Sequence, residues 1–407
     1  MKILYLHQHF STPKGATGIR SFEMAKALIA NGHQVTMICG SYSGGNTGLH
    51  SSFVSGQRSG SVNNIHVIEF ELNYANAQSF MQRSITFLKF AYQSIKMVMK
   101  QDYDLVIATS TPLTAAIPGL VARWLKRKTF IFEVRDLWPE LPKAMGVIKN
   151  PLILSAMSCL EWLAYRSAHG HIGLSPGIVN GIKRHLPNKS HTVALIPNGC
   201  DLNIFSPTES WQPEGIADDD FVAVFSGTHG QANGLSAVIN VAEELQEKTK
   251  KVKFILIGQG KLKSDLIAQA HYKKLTNVIF IDPVEKETLA KLFVRANVGL
   301  QVLANIPAFY DGTSPNKFFD YIAAGLPVIN NYPGWLAKEI TTKQCGIAVP
   351  PENSNAFSQA ILQLVNNPEQ CKAMSRNAKQ LAMEKYARDI LSTQFVDYIE
   401  KVFKTHD

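Results

Sequence analysis

At 407 residues the chain is too long for one ordinary domain and comfortable for two, each able to bury its own core. Its composition, 45% hydrophobic and 18% charged, is globular; no apolar run approaches the ~18 residues needed to cross a bilayer, and five scattered cysteines without a CxxC pair exclude a disulfide framework or a structural zinc. The net charge of +9 sits in residues 1–200, with 20 Lys+Arg against 9 Asp+Glu, while residues 201–407 carry 21 against 23; such an excess suits an anionic membrane surface or a polyanionic acceptor, and without interleaved aromatics it does not suit nucleic acid.

Lys2-Ile-Leu-Tyr-Leu6 reads as a buried strand. His7, Gln8 and His9 end its apolar run far short of a signal peptide, so the protein is expected to stay in the cytoplasm. A loop with Gly15 and Gly18 leads to a helix carrying Ile19, Phe22, Ala25 and Leu28, and Gln34–Cys39 is the next strand, so the chain opens as βαβ. No GxGxxG is present, which weakens a nicotinamide-dehydrogenase reading. Residues 40–63, rich in Ser, Gly and Asn, are expected to form a long mobile loop. Residues 83–100 have helical spacing with Lys and Arg as their only charges, which fits either a helix on a membrane surface or one packed on the sheet.

Asp102-Tyr-Asp104 spells a DxD string but precedes a strand, at the end opposite the expected ligand face, and is rejected as a metal site. The strand Thr129–Val134 runs into Arg135-Asp-Leu-Trp-Pro-Glu140, which puts a cation, carboxylates and an aromatic at the ligand edge of the sheet. His169 and His171 share one side of a strand and lack a third metal ligand. Asp220–Ser226 and a glycine-rich loop open the second half, and 254–260 and 278–284 each form a strand with its loop.

Gly312-Thr-Ser-Pro-Asn-Lys-Phe-Phe-Asp-Tyr-Ile-Ala-Ala-Gly-Leu-Pro-Val-Ile329 is the most informative stretch. Ser314 is the expected cap and Pro315 the first helical residue, with Gly325 and Pro327 as the stop. The helix start and Lys317 would hold a phosphate, and Asp320 could reach ribose hydroxyls.

Phe-Asp-Tyr-Ile-Ala-Ala-Gly-Leu-Pro-Val resembles the second half of the paired-carboxylate motif of family 4 retaining glycosyltransferases, with Asp320 on the second carboxylate. The first falls at Gly312, with Asp311 one residue out of register. Ile196-Pro-Asn-Gly-Cys-Asp201 resembles the family's domain junction, and the Trp-Pro-Glu and Ser-Pro-Asn-Lys elements resemble O-antigen and capsule enzymes of the fucosamine-transferase type. The resemblance implies an α/β GT-B fold: two facing Rossmann-like domains, 1–198 for the acceptor and 199–385 for the donor, with a deep interdomain cleft and a final helix, about 386–407, returning to the first domain. It implies that Asp136, Arg135 and Lys317 are catalytic, that Gly15, Gly18, Arg20 and Glu140 face the acceptor, and that the donor meets Thr228, His229, Gly230, Asn233, Pro283, Val284, Ser314, Pro315, Asn316 and Asp320. Where the family usually offers Arg and Lys to the diphosphate, this chain has Thr228 and Asn233.

The implied reaction is metal-independent transfer from a nucleoside-diphosphate sugar, UDP foremost, to a polyprenyl-diphosphate-linked or saccharide acceptor at the inner face of the plasma membrane, with no cofactor beyond the donor. A nucleotide-sugar 2-epimerase and a non-catalytic nucleotide-sugar binding protein are the alternatives that this architecture leaves open.

Overall fold

A strand buried on both faces reads as a continuous aliphatic run and fits only inside a parallel sheet covered by helices. In the computed structural model, which describes residues 1–75, 78–110, 112–186 and 193–406, runs of this kind build two such sheets. One compact unit comprises Met1–Pro197, Asp311–Ser314 and Asp389–Asp407; the other comprises Asn198–Tyr310 and Pro315–Arg388.

The first unit holds β1 (Lys2–Leu6), β2 (Gln34–Tyr42), β3 (Gln57–Val62), β4 (Ile65–Tyr74), β5 (Leu105–Thr109), β6 (Thr129–Val134), β7 (Gly170–Gly173) and β8 (Val193–Leu195). They are ordered β3-β4-β2-β1-β5-β6-β7-β8, parallel except for β3 against β4. The chain builds outward from β1 on one side and then returns to start the other side at β5, so the strand order reverses between β1 and β5. In open α/β sheets such a reversal opens a crevice beyond the carboxyl ends of the strands. The final helix, Arg388–His406, packs on this sheet, with Phe395 stacked 6.3 Å from Tyr5.

Residues 40–63 are not one long loop. β2 runs on to Tyr42, and β3 pairs with β4 through Asn63 and Asn64, whose φ values of 49° and 65° are those of a two-residue hairpin turn. The Ser/Gly alternation of β3 conceals it, because the strand is half exposed and carries few aliphatic side chains. The helix expected over 83–100 spans Phe80–Lys100 and is closed at its start by a capping box between Ser79 and Gln82.

Arg20 corrects another expectation. It does not face an acceptor: its side chain is 1% exposed and pairs at 3.1 Å with Glu133 on β6, itself fully buried. Nη1 also donates to the Pro197 carbonyl. A charge taken out of water persists only with such partners, and removing one strands the other. Arg20→Met alone should therefore cost about 3–5 kcal/mol in denaturant unfolding of the first unit, and the double change Arg20→Met/Glu133→Leu should recover most of it. Equal stability of wild type and Arg20→Met would contradict the assignment.

The second unit holds β9 (Phe221–Ser226), β10 (Val252–Ile257), β11 (Val278–Ile281), β12 (Val298–Gln301), β13 (Val328–Asn330) and β14 (Gly346–Ala348), all parallel and ordered β11-β10-β9-β12-β13-β14. The order reverses between β9 and β12. Phe225, Leu256, Val238 and Ile361 lie in the core that covers one face.

Candidate functional site

In the second unit the segment after β9 is shaped by the segment after β10. Gly227 N–H donates to the Ile257 carbonyl at 2.9 Å, His229 N–H to the Gln259 carbonyl at 3.0 Å, and Leu262 N–H to the His229 carbonyl at 2.9 Å. Only glycine permits this approach. A Cβ on Gly258 would lie 1.8 Å from the Gly227 oxygen, and its φ of 148° is itself a glycine conformation.

The backbone of His229 is thereby withdrawn from the donor-binding role expected of it. Its N–H is spent on Gln259, and its buried ring lies 6.1 Å from that of Phe225 and 6.2 Å from that of Phe280. Burial first, and the Lys263 charge second, push its pKa down to about 4. It is a neutral wedge supporting the loop. Thr228 stays exposed and Gly230 half-buried, and the Thr228 carbonyl accepts from Asn233 Nδ2 at 2.6 Å.

The same Asn233 accepts at 2.7 Å from Lys317 Nζ, which lies 4.4 Å from the centre of the Phe225 ring. Among the described residues no carboxylate pairs with Lys317, and burial pulls its pKa down to about 7. A cation held against an amide oxygen and an aromatic face without a counterion gains most from an arriving anion. The helix carrying it, Asn316–Ala323, starts one residue later than expected: Pro315, not Ser314, occupies the cap position and supplies no side-chain cap. Ser314 belongs with the first unit. Asn316 is half-buried at the helix start, as is Val284 after β11, whereas Pro283 there is exposed. The Asp311 carbonyl is taken by Ser175 Oγ at 2.6 Å, and the space where a Gly312 side chain would project is open.

Asp320 is the second correction at this site. Its carboxylate does not await ribose hydroxyls but is buried, accepting from Lys286 Nζ at 3.2 Å. Lys286 also donates to Asp201 at 3.0 Å, and Arg388 reaches Asp201 at 2.8 Å, which closes a neutral four-member network. Burial alone would raise the Asp201 pKa, but Lys286 and Arg388 hold it down to about 2. Burial pushes that of Asp320 up, with Lys286 only partly offsetting it.

In the first unit the ends of β1, β5 and β6 meet at the strand-order reversal. Arg135 Nη1 donates to His7 Nε2 at 3.2 Å, which leaves the His7 proton on Nδ1, 2.7 Å from Thr109 Oγ1. Burial, with Arg135 beside it, keeps His7 neutral by lowering its pKa well below the usual range. His9, among Tyr42 and Tyr74, is lowered to about 4 by burial and then by Arg135. Ser110 Oγ accepts the N–H of Arg135 at 2.9 Å and that of Asp136 at 3.4 Å, which fixes the turn presenting both side chains. Asp136 is half-buried and Glu140 exposed. A Cβ on Gly15 would lie 2.2 Å from Ser11 Oγ and 3.0 Å from the Asn46 nitrogen, so a larger residue there would displace the Ser11 hydroxyl, and Gly18 is half-buried.

The sequence reading missed His7 and His9, noting them only as the end of an apolar run. Their signal was position, polar residues directly after the strand at the centre of the sheet. Asp102 and Asp104 are committed to Lys2, the first at 2.5 Å to its ammonium and the second at 2.7 Å to its N–H.

Residues 18–204 match the family model described as Glycosyltransferase Family 4, and residues 208–381 match Glycosyl transferases group 1. An uncharacterized glycosyltransferase of Methanocaldococcus jannaschii is 23% identical over 252 residues, which are 60% of this chain and 62% of that relative. Among solved structures, sucrose-phosphate synthase of Thermosynechococcus elongatus superposes with a TM-score of 0.75 at 16% identity over 100% of both chains. HepE of Anabaena, in complex with UDP-glucose, gives 0.69 at 18% identity over 98% of this chain and 100% of its own. At such identities the structural likeness is one of fold, the two-domain GT-B fold.

If the Lys317 ammonium meets a diphosphate, binding must supply a proton wherever the free amine is neutral. UDP affinity should then be level below about pH 7 and fall by up to about tenfold per pH unit above it, a dependence that Lys317→Met abolishes. Isothermal titration across pH 6–9 checks this (about three units, chosen to bracket the titration); a flat profile in the wild type would contradict it.

Proposed function

We propose that this chain is a family 4 retaining glycosyltransferase that moves an N-acetylamino or deoxyamino sugar from a UDP-sugar to a lipid-linked acceptor in surface-polysaccharide assembly. The observation carrying this reading is the Lys317 ammonium, held by Asn233 and the Phe225 ring beside the glycine turn after β9, without a carboxylate partner among the described residues. Departure of the diphosphate is the demanding step, because negative charge grows on its bridging oxygen. A preorganised donor aimed at that charge contributes on the order of 3 kcal/mol. Lys317 supplies such a donor and the exposed Thr228 adds a polar group, so the leaving group is stabilised without calling on a metal.

On this reading Asp136 and Arg135 engage the sugar being transferred, and His7, neutral and anchored to Thr109, holds Arg135 in place. No side chain is assigned as an enzyme nucleophile. The acceptor hydroxyl attacks the face that the diphosphate leaves, and a diphosphate oxygen takes its proton, so the anomeric configuration is retained. The excess of cations in residues 1–200 supports a diphosphate-bearing polyprenyl acceptor at the inner face of a membrane. The amino-sugar and surface-polysaccharide parts of the reading rest on the Trp-Pro-Glu and Ser-Pro-Asn-Lys elements.

Lys317→Ala should lower kcat/KM for UDP release from UDP-N-acetyl sugars by about 100-fold or more while leaving thermal unfolding unchanged. Unaltered kinetics in that variant, or conversion of the donor to its C2 epimer with no acceptor present, would overturn the proposal.

A further inference from the structure

Three helices of the first unit, Phe80–Lys100, Ala116–Trp124 and Pro151–Ser167, lie side by side against the sheet, the middle one packed on both others. Trp124 Nε1 donates to Ser167 Oγ at 3.0 Å and joins the ends of the second and third. A helix in water normally turns its apolar stripe inward. These also carry one outward. Along the first helix Met81, Ile85, Leu88, Tyr92 and Met99 recur at spacings that place them on one stripe, with Leu88 57% and Tyr92 61% exposed. The second helix ends on Trp124 and Leu125, 60% and 70% exposed, and the third exposes Leu152, at 79%, with Ile153, Trp162 and Leu163.

The charges on these helices have one sign. Arg83, Lys89, Lys96 and Lys100 lie on the first, Arg123 on the second and Arg166 on the third, with Lys126, Arg127 and Lys128 just after the second. The acidic residue in the three sequences, Glu161, is buried and accepts from the Tyr165 hydroxyl. Each exposed aromatic also carries a cation over its ring: Lys96 at 4.4 Å from Tyr92, Arg123 at 5.0 Å from Trp124, and Arg166 at 4.7 Å from Trp162. Rings with an apolar body beneath a cationic head suit the boundary between acyl chains and anionic headgroups. A second copy of this chain would meet the face with like charge, which opposes self-association. Among the described residues no helix is long and apolar enough to cross a membrane, so the face can only rest on one.

We propose that this three-helix face docks the protein on an anionic lipid bilayer, with Trp162, Leu152 and the Tyr92 stripe entering the headgroup boundary and the lysines and arginines pairing with lipid phosphates. The inference deepens the reading of a lipid-linked acceptor and rests on it for its purpose, but its evidence is separate from the donor site.

Vesicle flotation of the full chain tests it. Wild type should float with vesicles containing about one-third phosphatidylglycerol and stay behind with pure phosphatidylcholine. Leu152→Glu/Trp162→Glu should reduce the bound fraction about tenfold, and Lys89→Glu/Lys96→Glu should remove the preference for anionic lipid, both with UDP-induced thermal shift unchanged. Absence of wild-type flotation, equal flotation of all variants, or loss of a homodimer in the Leu152→Glu/Trp162→Glu protein by light scattering would overturn the proposal. Flotation that follows this pattern in a protein with no UDP-dependent shift would support the face and count against the transferase reading instead.

Discussion

The Gly227 carbonyl rests against the Cα of Gly258, and much of the second unit's chemistry depends on that approach. Because the turns after β9 and β10 share backbone hydrogen bonds, the first turn cannot drift over the end of the sheet. It stands instead as a wall, backed by the His229 ring, along which Asn233 and the Lys317 ammonium are aligned. The strand order supplies the place for the wall, since β9 is the strand from which the sheet grows in both directions. A side chain at position 258 would separate the two turns and remove the surface that positions the cation.

The treatment of charge separates structure from function. Arg20 is buried against Glu133, and Lys286 and Arg388 are buried against Asp201 and Asp320, so these cations are neutralised within the protein. Lys317 and Arg135 differ. Among the described residues neither makes an ion pair, and each contacts a neutral partner, an amide oxygen for Lys317 and an uncharged imidazole for Arg135. Arg135 follows β6, the neighbour of β5 at the first sheet's reversal, and Lys317 lies on the helix between β12 and β13, next to the second sheet's reversal, where a ligand can supply the missing charge.

Much of this was legible in the sequence. The aliphatic runs marked the parallel strands, and the Ser-Pro-Asn-Lys helix and the Arg-Asp turn stood out because their residue types are costly to place without a purpose. Pairings over long sequence separations were not legible. Arg20 looks like a surface residue in a glycine loop until Glu133, 113 residues away, is folded against it. Asp320 looks like a ribose ligand until Lys286 arrives from another helix. The β3–β4 hairpin was hidden by composition, since Ser and Gly in a half-exposed strand read as a loop, although Asn63-Asn64 carried the turn signal. The outward apolar stripe of the helix Phe80–Lys100 was visible only as an ambiguity, because helical spacing alone does not reveal which apolar residues remain outside.

The central claim is that the Lys317 amine is kept without a charge partner until a diphosphate arrives. The most direct measurement follows its own titration by NMR of lysine-labelled protein, assigned with Lys317→Arg, without and with saturating UDP. The account predicts a midpoint near pH 7 in the free protein that moves upward by about two units or more when UDP is bound. A midpoint near that of an ordinary surface lysine, or one that UDP leaves unmoved, would contradict it.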